Sequence, residues 1–208
     1  MRLVPTFPWW RPVPDAELIL ATREVIGVLD ELGIPYCLGG SLASSLQGIA
    51  RATIDGDIVA ELMGHHCRPL AERLAPRFVA SLEAIIPALQ HEGSFNAIHR
   101  EFLVKVDVFV AKSRPWYRSQ MARRQLMPFG EETHPPVWVS TPEDTILAKL
   151  DWYRLGGGVS DRQWGDVTGV MKVQAENLDL AYLRRWADEL RLRDLLERAL
   201  GESGLAGG

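Results

Sequence analysis

Asp55 and Asp57 stand one residue apart at the start of an apolar stretch that runs from Ile54 to Leu62, thirteen residues after Gly39-Gly40-Ser41. On a strand, residues i and i+2 project from the same face. Two carboxylates placed that way repel, and folding without compensation raises the pKa of one of them. A divalent cation removes the conflict, and Mg²⁺ prefers hard oxygen ligands of this kind. Asp107 lies in Lys105-Val-Asp-Val-Phe109, where Lys105, Asp107 and Phe109 share one face and the valines take the other. Its carboxylate can therefore come from a neighbouring strand to complete a trio. Three carboxylates can hold two metal ions about 3.5–4 Å apart, which aligns the attacking and leaving oxygens of a phosphoryl transfer. Upstream, Gly39 and Gly40 let backbone amides approach a phosphate, and Ser41 adds a hydroxyl at a helix start. The competing reading makes Asp55-Gly56 a hairpin turn or solvated strand end and Asp107 an exposed edge-strand residue.

The elements that must carry these residues follow from periodicity. Apolar residues recur at helical spacing from Asp15 to Leu32, with Gly33 closing the run. Ile34–Leu38 suits a buried strand, Leu42–Gln47 one or two helical turns, and Ile54–Leu62 a second strand. Pro69–Leu74 and Leu82–Leu89 read as helices. Phe95–His99 and Phe102–Val110 read as neighbouring strands joined at Arg100-Glu101, Pro115–Leu126 as a helix and Val137–Val139 as a short strand. Ser140-Thr141-Pro142-Glu143 offers an N-cap with proline in the first turn of a helix reaching Leu155, where Gly156-Gly157-Gly158 ends it. Ser160 with Gln163 has the spacing of a capping box for the next helix, and helices over Leu180–Leu190 and Leu192–Leu200 finish the chain. The expected layout is an N-terminal arm over residues 1–13, a mixed α/β unit over 14–140, and a helical unit over 141–208.

Gly39-Gly40-Ser41 with Asp55-x-Asp57 and a later strand aspartate, Asp107, resembles the nucleotidyltransferase motif of the DNA polymerase beta superfamily. More narrowly, Arg51-Ala-Thr-Ile-Asp-Gly-Asp57, Phe95-Asn-Ala-Ile-His99 and Ser140-Thr-Pro-Glu-Asp-Thr-Ile-Leu-Ala-Lys-Leu150 resemble small bacterial nucleotidyltransferase-like proteins, a group overlapping the AbiEii-type toxins of toxin–antitoxin systems. The likeness covers about Pro35 to Leu196. It implies an α/β (α+β) fold, with a mixed sheet flanked by helices and then a C-terminal helical bundle. It also implies two Mg²⁺ ions, and transfer of a nucleoside monophosphate from a triphosphate such as ATP to a hydroxyl, for which a tRNA or RNA end is the leading acceptor and a protein side chain another. A small-molecule, aminoglycoside-like acceptor and a non-catalytic nucleotide-binding module paired with an antitoxin protein are the alternatives. In this reading Asp55, Asp57 and Asp107 are the metal-binding and catalytic set, with Asp107 also the candidate base. Gly39, Gly40, Ser41 and Lys149 hold the nucleotide. Arg51, Thr53, Lys105, Arg162 and Asp166 are secondary candidates. Arg162 lies one helical turn before Asp166, so the two are expected to pair. Lys149 reads equally well as a solvated helix lysine. Gly56 stands where the family carries a bulkier apolar residue.

Other patterns lead elsewhere. Lys112, Arg114, Arg118, Arg123 and Arg124, with Trp116 and Tyr117 among them, could contact the phosphates and bases of a single-stranded RNA, or could be a solvated helix face. His65-His66-Cys67 lacks metal-ligand spacing, and Gly156-Gly157-Gly158 lacks the Lys-Ser/Thr of a phosphate loop. Ser41 has no G-x-S-x-G context. Among 208 residues, 47% are hydrophobic and 24% charged, which excludes a disordered or fibrous chain. The two cysteines are too few for a disulfide framework and fit a reducing, cytoplasmic setting. No apolar run is long enough for a membrane span. A net charge of −4 argues against a protein that coats nucleic acid, while leaving room for a local basic site.

Overall fold

The computed structural model describes residues 16–205, so the expected N-terminal arm lies outside the described residues. The chain opens with α1 (Ala16–Glu31), whose Leu18, Ala21, Val25 and Leu29 are fully buried, and Gly33 turns it at φ +64°. Then come β1 (Tyr36–Leu38), α2 (Gly40–Gln47), β2 (Asp55–Ala60), a 3₁₀ turn at Gly64–His66 and α3 (Cys67–Leu74). β3 (Phe78–Val79), α4 (Leu82–Gln90), β4 (Ser94–His99) and β5 (Lys105–Val110) follow. Next are α5 (Pro115–Arg123), β6 (Gln125–Met127) and β7 (Val137–Val139). The chain closes with α6 (Pro142–Leu155), α7 (Asp161–Gln174), a 3₁₀ turn at Ala175–Asn177, α8 (Leu180–Leu190) and α9 (Arg193–Glu202).

The strands form one mixed sheet in the order β3-β4-β5-β2-β1-β7-β6. β2 and β5 run parallel, as do β1 and β7, and the other neighbours are antiparallel. Both β2 and β5 alternate buried and half-buried residues, so Ile58, Ala60, Val106, Val108 and Val110 face the core and the aspartates face away from it. This core packs α1, α3 and α4 on the sheet. A second apolar cluster gathers Ile146, Leu147, Leu150, Val167, Val170, Leu183, Trp186 and Leu196 from the last four helices. Trp116 of α5 belongs to that second cluster.

One sequence expectation is corrected, and one strand carries no sequence signal. The helix from Pro115 stops at Arg123, and Gln125–Met127 continues as an edge strand on β7, an antiparallel pairing that local periodicity does not encode. β3 is two residues long, too short to leave a pattern, and exists through its pairing with His99 and Ile98. The capping signals do operate: Thr141 accepts from the Asp144 N–H and Ser160 from the Gln163 N–H. The Gln163 side-chain oxygen is buried and unpartnered, so only half of that capping box forms.

Candidate active site

The parallel register of β2 on β5 sets Asp57 beside Asp107 and Asp55 beside Lys105. Lys105 Nζ lies 2.7 Å from Asp107 Oδ2 and 3.8 Å from Asp55 Oδ2, and is the cation standing among the carboxylates. Thr53 donates to the Asp55 carboxylate at 3.3 Å. Burial, then the adjacent Asp55, and less strongly Asp107, push the Asp57 carboxyl up to about 6, against the opposing pull of Lys149. Among the described residues, Asp107 Oδ1 is buried without a hydrogen-bond partner.

The turn after β1 is built against Asp57. Gly39 N–H donates to the Asp57 carbonyl at 2.8 Å, and the Ser41 backbone N–H bonds its carboxylate. Gly40 adopts φ +54°, and a Cβ there would fall on the Asp57 carboxylate. Glycine is required at this position by both conformation and space. Gly56 has a different reason: a Cβ would come 2.5 Å from Oγ1 of Thr22, a buried α1 residue whose hydroxyl donates to Leu18 O. The side chain that β2 lacks is thus replaced by one from α1.

Behind the turn, Ser41 Oγ accepts from Arg51 Nη2 at 2.6 Å and Lys149 Nζ at 3.3 Å. Two donors on one hydroxyl oxygen leave its own proton free to donate outward. Asp166 holds both cations, bidentate with Arg51 at 2.6 and 2.7 Å and with Lys149 at 2.8 Å. Burial pushes the Asp166 carboxyl up, but the Arg51 hydrogen bonds and the Lys149 charge outweigh it and hold the carboxyl below its ordinary value. Lys149 is 4% exposed, which disposes of the solvated-lysine reading. The expected Arg162–Asp166 pair is corrected. Asp166 turns to Arg51, 115 residues away, while Arg162 stays exposed and lines the cleft in front. Helical spacing permits an i,i+4 pair, but the fold brings the Arg51 guanidinium onto the Asp166 carboxylate in bidentate geometry and leaves Arg162 exposed.

Gly39, Gly40, Ser41, Arg51, Asp55, Asp57 and Lys149 line a cleft of about 430 Å³, whose wall also includes Phe109, Tyr117, Trp152, Glu92 and Asp151. That part of the wall left no sequence signal, because its residues come from four separated segments. The basic stretch is also redistributed. Trp116 is buried and donates to Asp144. Arg123 pairs with Glu143 and stacks on Tyr182, and Arg124 stacks on Trp138 and bonds the Met121 carbonyl. Lys112, Arg114 and Arg118 remain, not a continuous basic and aromatic face.

As they stand, the carboxylates are not a closed cage, since among the described residues no three His, Cys, Asp or Glu side chains gather tightly enough to hold a metal. Their chemistry nevertheless fits a hard cation. Hard oxygens converge from β2 and β5, one of them is buried and unsatisfied among the described residues, and Asp57 is raised by burial and then by Asp55 and Asp107.

No protein-family model and no curated protein matches the chain. Solved structures do. The chain is similar to ANT(2'')-Ia in complex with adenylyl-2''-tobramycin, with 15% identity and TM-score 0.55 over 84% of this chain and 97% of that one. It is also similar to an antigenic nucleotidyltransferase-like protein from Paracoccidioides brasiliensis, at 21% identity and TM-score 0.54 over 91% and 94%. The lincosamide antibiotic adenylyltransferase LnuA, lincomycin-bound, matches at 10% identity and TM-score 0.50 over 78% and 99%. The fold is nucleotidyltransferase-like. At these identities the likeness speaks for the arrangement of sheet and helices and leaves the chemistry to the residues above.

Proposed function

We propose that the protein transfers a nucleoside monophosphate from a nucleoside triphosphate to a hydroxyl acceptor. The observation that carries this reading is the Gly39-Gly40-Ser41 turn seated directly on Asp57, with Asp107 beside it. The acceptor hydroxyl attacks the α-phosphorus, its proton passes to the Asp107 carboxylate, and the bond to the departing pyrophosphate breaks. Ser41 donates its free hydroxyl proton to the outer phosphates, and Arg51 and Lys149 add positive charge there. Asp166 fixes both cations, so that they meet the triphosphate without reorganising. Asp55, Asp57 and Asp107 would hold Mg²⁺, which neutralises phosphate charge and favours the deprotonated nucleophile.

The test is incubation with labelled triphosphates, Mg²⁺ and mixed acceptors, beside Asp57→Ala. Label on an acceptor, lost in the variant, supports the reading. Triphosphate binding without transfer to any acceptor would favour a non-catalytic module. For the acceptor we take an RNA end as the leading class. An AbiEii-type toxin role then predicts growth arrest on expression, relieved by a neighbouring antitoxin, both read as colony counts. A small hydroxylated amine is the second class, favoured by the Glu92, Phe109 and Trp152 wall and by the adenylyl-tobramycin complex of ANT(2'')-Ia. Transfer to aminoglycosides in the same assay would decide for it.

A further inference from the structure

A second pocket, about 480 Å³, opens on the far side of Trp116 and Asp151, the two residues that line both it and the first cleft. Three independent features share it. The first is the N-terminal end of α5: Arg114, Pro115 and Trp116 line the pocket, and Arg114 at the N-cap supplies no side-chain cap. Pro115 carries no N–H and the Tyr117 N–H bonds the Arg114 carbonyl, so this nine-residue helix contributes only the weak positive end of its dipole there. The second is a set of exposed arginines, Arg114, Arg154 and Arg191. Asp151 and Glu189, the acids of the lining, are already taken, by Arg154 at 2.6 Å and by Arg185 at 3.8 Å. Arg114 and Arg191 make no side-chain ion pair or hydrogen bond among the described residues, Arg114 standing within electrostatic reach of Glu92. Arg191 lines the pocket from the end of α8, where its backbone is left-handed at φ +59°. The third is Trp186, 4% exposed, whose indole N–H is buried with no acceptor. Buried donors are almost always satisfied, and Trp186 lines this arginine-rimmed pocket, so its indole N–H marks the place of an acceptor that arrives with a ligand.

We propose that this pocket is an anion site for the phosphate group of a phosphate-bearing ligand, held by Arg114, Arg191, the start of α5 and the Trp186 indole N–H. The phosphate can belong to a polynucleotide backbone or to a small free ligand, and the arms of the test separate these sources. The site stands apart from the aspartates and does not depend on nucleotidyl transfer. Its binding is measured without triphosphate, so its failure and the failure of the catalytic reading are separate results.

In the first arm, ¹⁵N-labelled full-length protein is titrated with inorganic phosphate at constant ionic strength, chloride serving as control. The indole resonance of Trp186, assigned by its loss in Trp186→Phe, is expected to move with phosphate and not with chloride. In the second arm, a fluorescent single-stranded RNA oligonucleotide is followed by anisotropy against Arg114→Ala and Arg191→Ala. Both substitutions are at exposed positions, and thermal melts check the fold. If the phosphate is a backbone phosphodiester, each is expected to weaken RNA binding about tenfold and to lower the salt-dependence slope by about one. Movement of the Trp186 resonance with phosphate, abolished in the double arginine variant, while RNA binding is unchanged, supports the site with a small phosphorylated ligand as its source. An indole resonance unmoved by phosphate, together with RNA binding indifferent to both arginines, overturns the proposal.

Discussion

Gly40 shows how one missing side chain can define a site. Its φ of +54° disfavours any L side chain, and the space a methyl would need is occupied by the Asp57 carboxylate. Gly40→Ala is therefore expected to displace Asp57 more than it unfolds the protein. Label transfer should fall at least about 100-fold, with a backbone penalty near 1 kcal/mol in urea denaturation. Gly56 serves packing instead. Gly56→Ala is expected to cost about 1–3 kcal/mol through its clash with Thr22, and Thr22→Ala/Gly56→Ala should recover most of that loss. Additive losses in the double variant would show that Thr22 is not what the glycine accommodates.

At the scale of elements, Asp144 ties three helices together behind the cleft. It has no solvent exposure and accepts from Trp116 of α5 at 2.9 Å, Tyr182 of α8 at 2.7 Å and its own helix cap Thr141 at 2.9 Å. Burial raises its carboxyl, with those three donors pulling the other way. Asp144→Ala strands the Trp116 and Tyr182 donors and is expected to destabilise by about 3–5 kcal/mol, measured by chemical denaturation. The neighbouring Glu143 extends the tie, from Arg123 at 3.0 Å to the Asp179 N–H at 3.0 Å. In the sequence these acids looked like ordinary first-turn residues of α6, favourable to the helix dipole. Only the packing of α5 and α8 over that turn gives them their second role.

At the scale of the molecule, the candidate site lies where sheet and terminal helices meet, and Asp166 joins them. It reaches from α7 to Arg51 in the loop before β2 and to Lys149 of α6. A carboxyl held below its ordinary value stabilises the fold above its unfolded pKa, and that contribution is lost as pH falls through the native value. Asp166→Asn is accordingly expected to be clearly less stable than the parent at pH 7. The gap should close on acidification below the ordinary carboxylate range, followed by urea melts across pH. A gap that persists at low pH would mean that the carboxylate charge is not what Asp166 contributes.

Local pattern made much of this legible. Period-two alternation placed Asp55, Asp57 and Asp107 on strands, and helical periodicity with Gly33 and Thr141 marked α1 and α6 near their observed ends, while Ser160 marked the start of α7. Those features depend on residues within a few positions of one another, and sequence determines them directly. The β3 and β6 edges, the partner of Asp166, the burial of Lys149 and the wall of the cleft depend on segments tens of residues apart. Arg162 lost its expected partner for the same reason, since helical spacing gives it reach and the fold brings Arg51 nearer. Which residues can do chemistry was written in their types and spacing. Which of them meet was decided by strand register and helix packing, because those alone set the distances on which hydrogen bonds and charges depend.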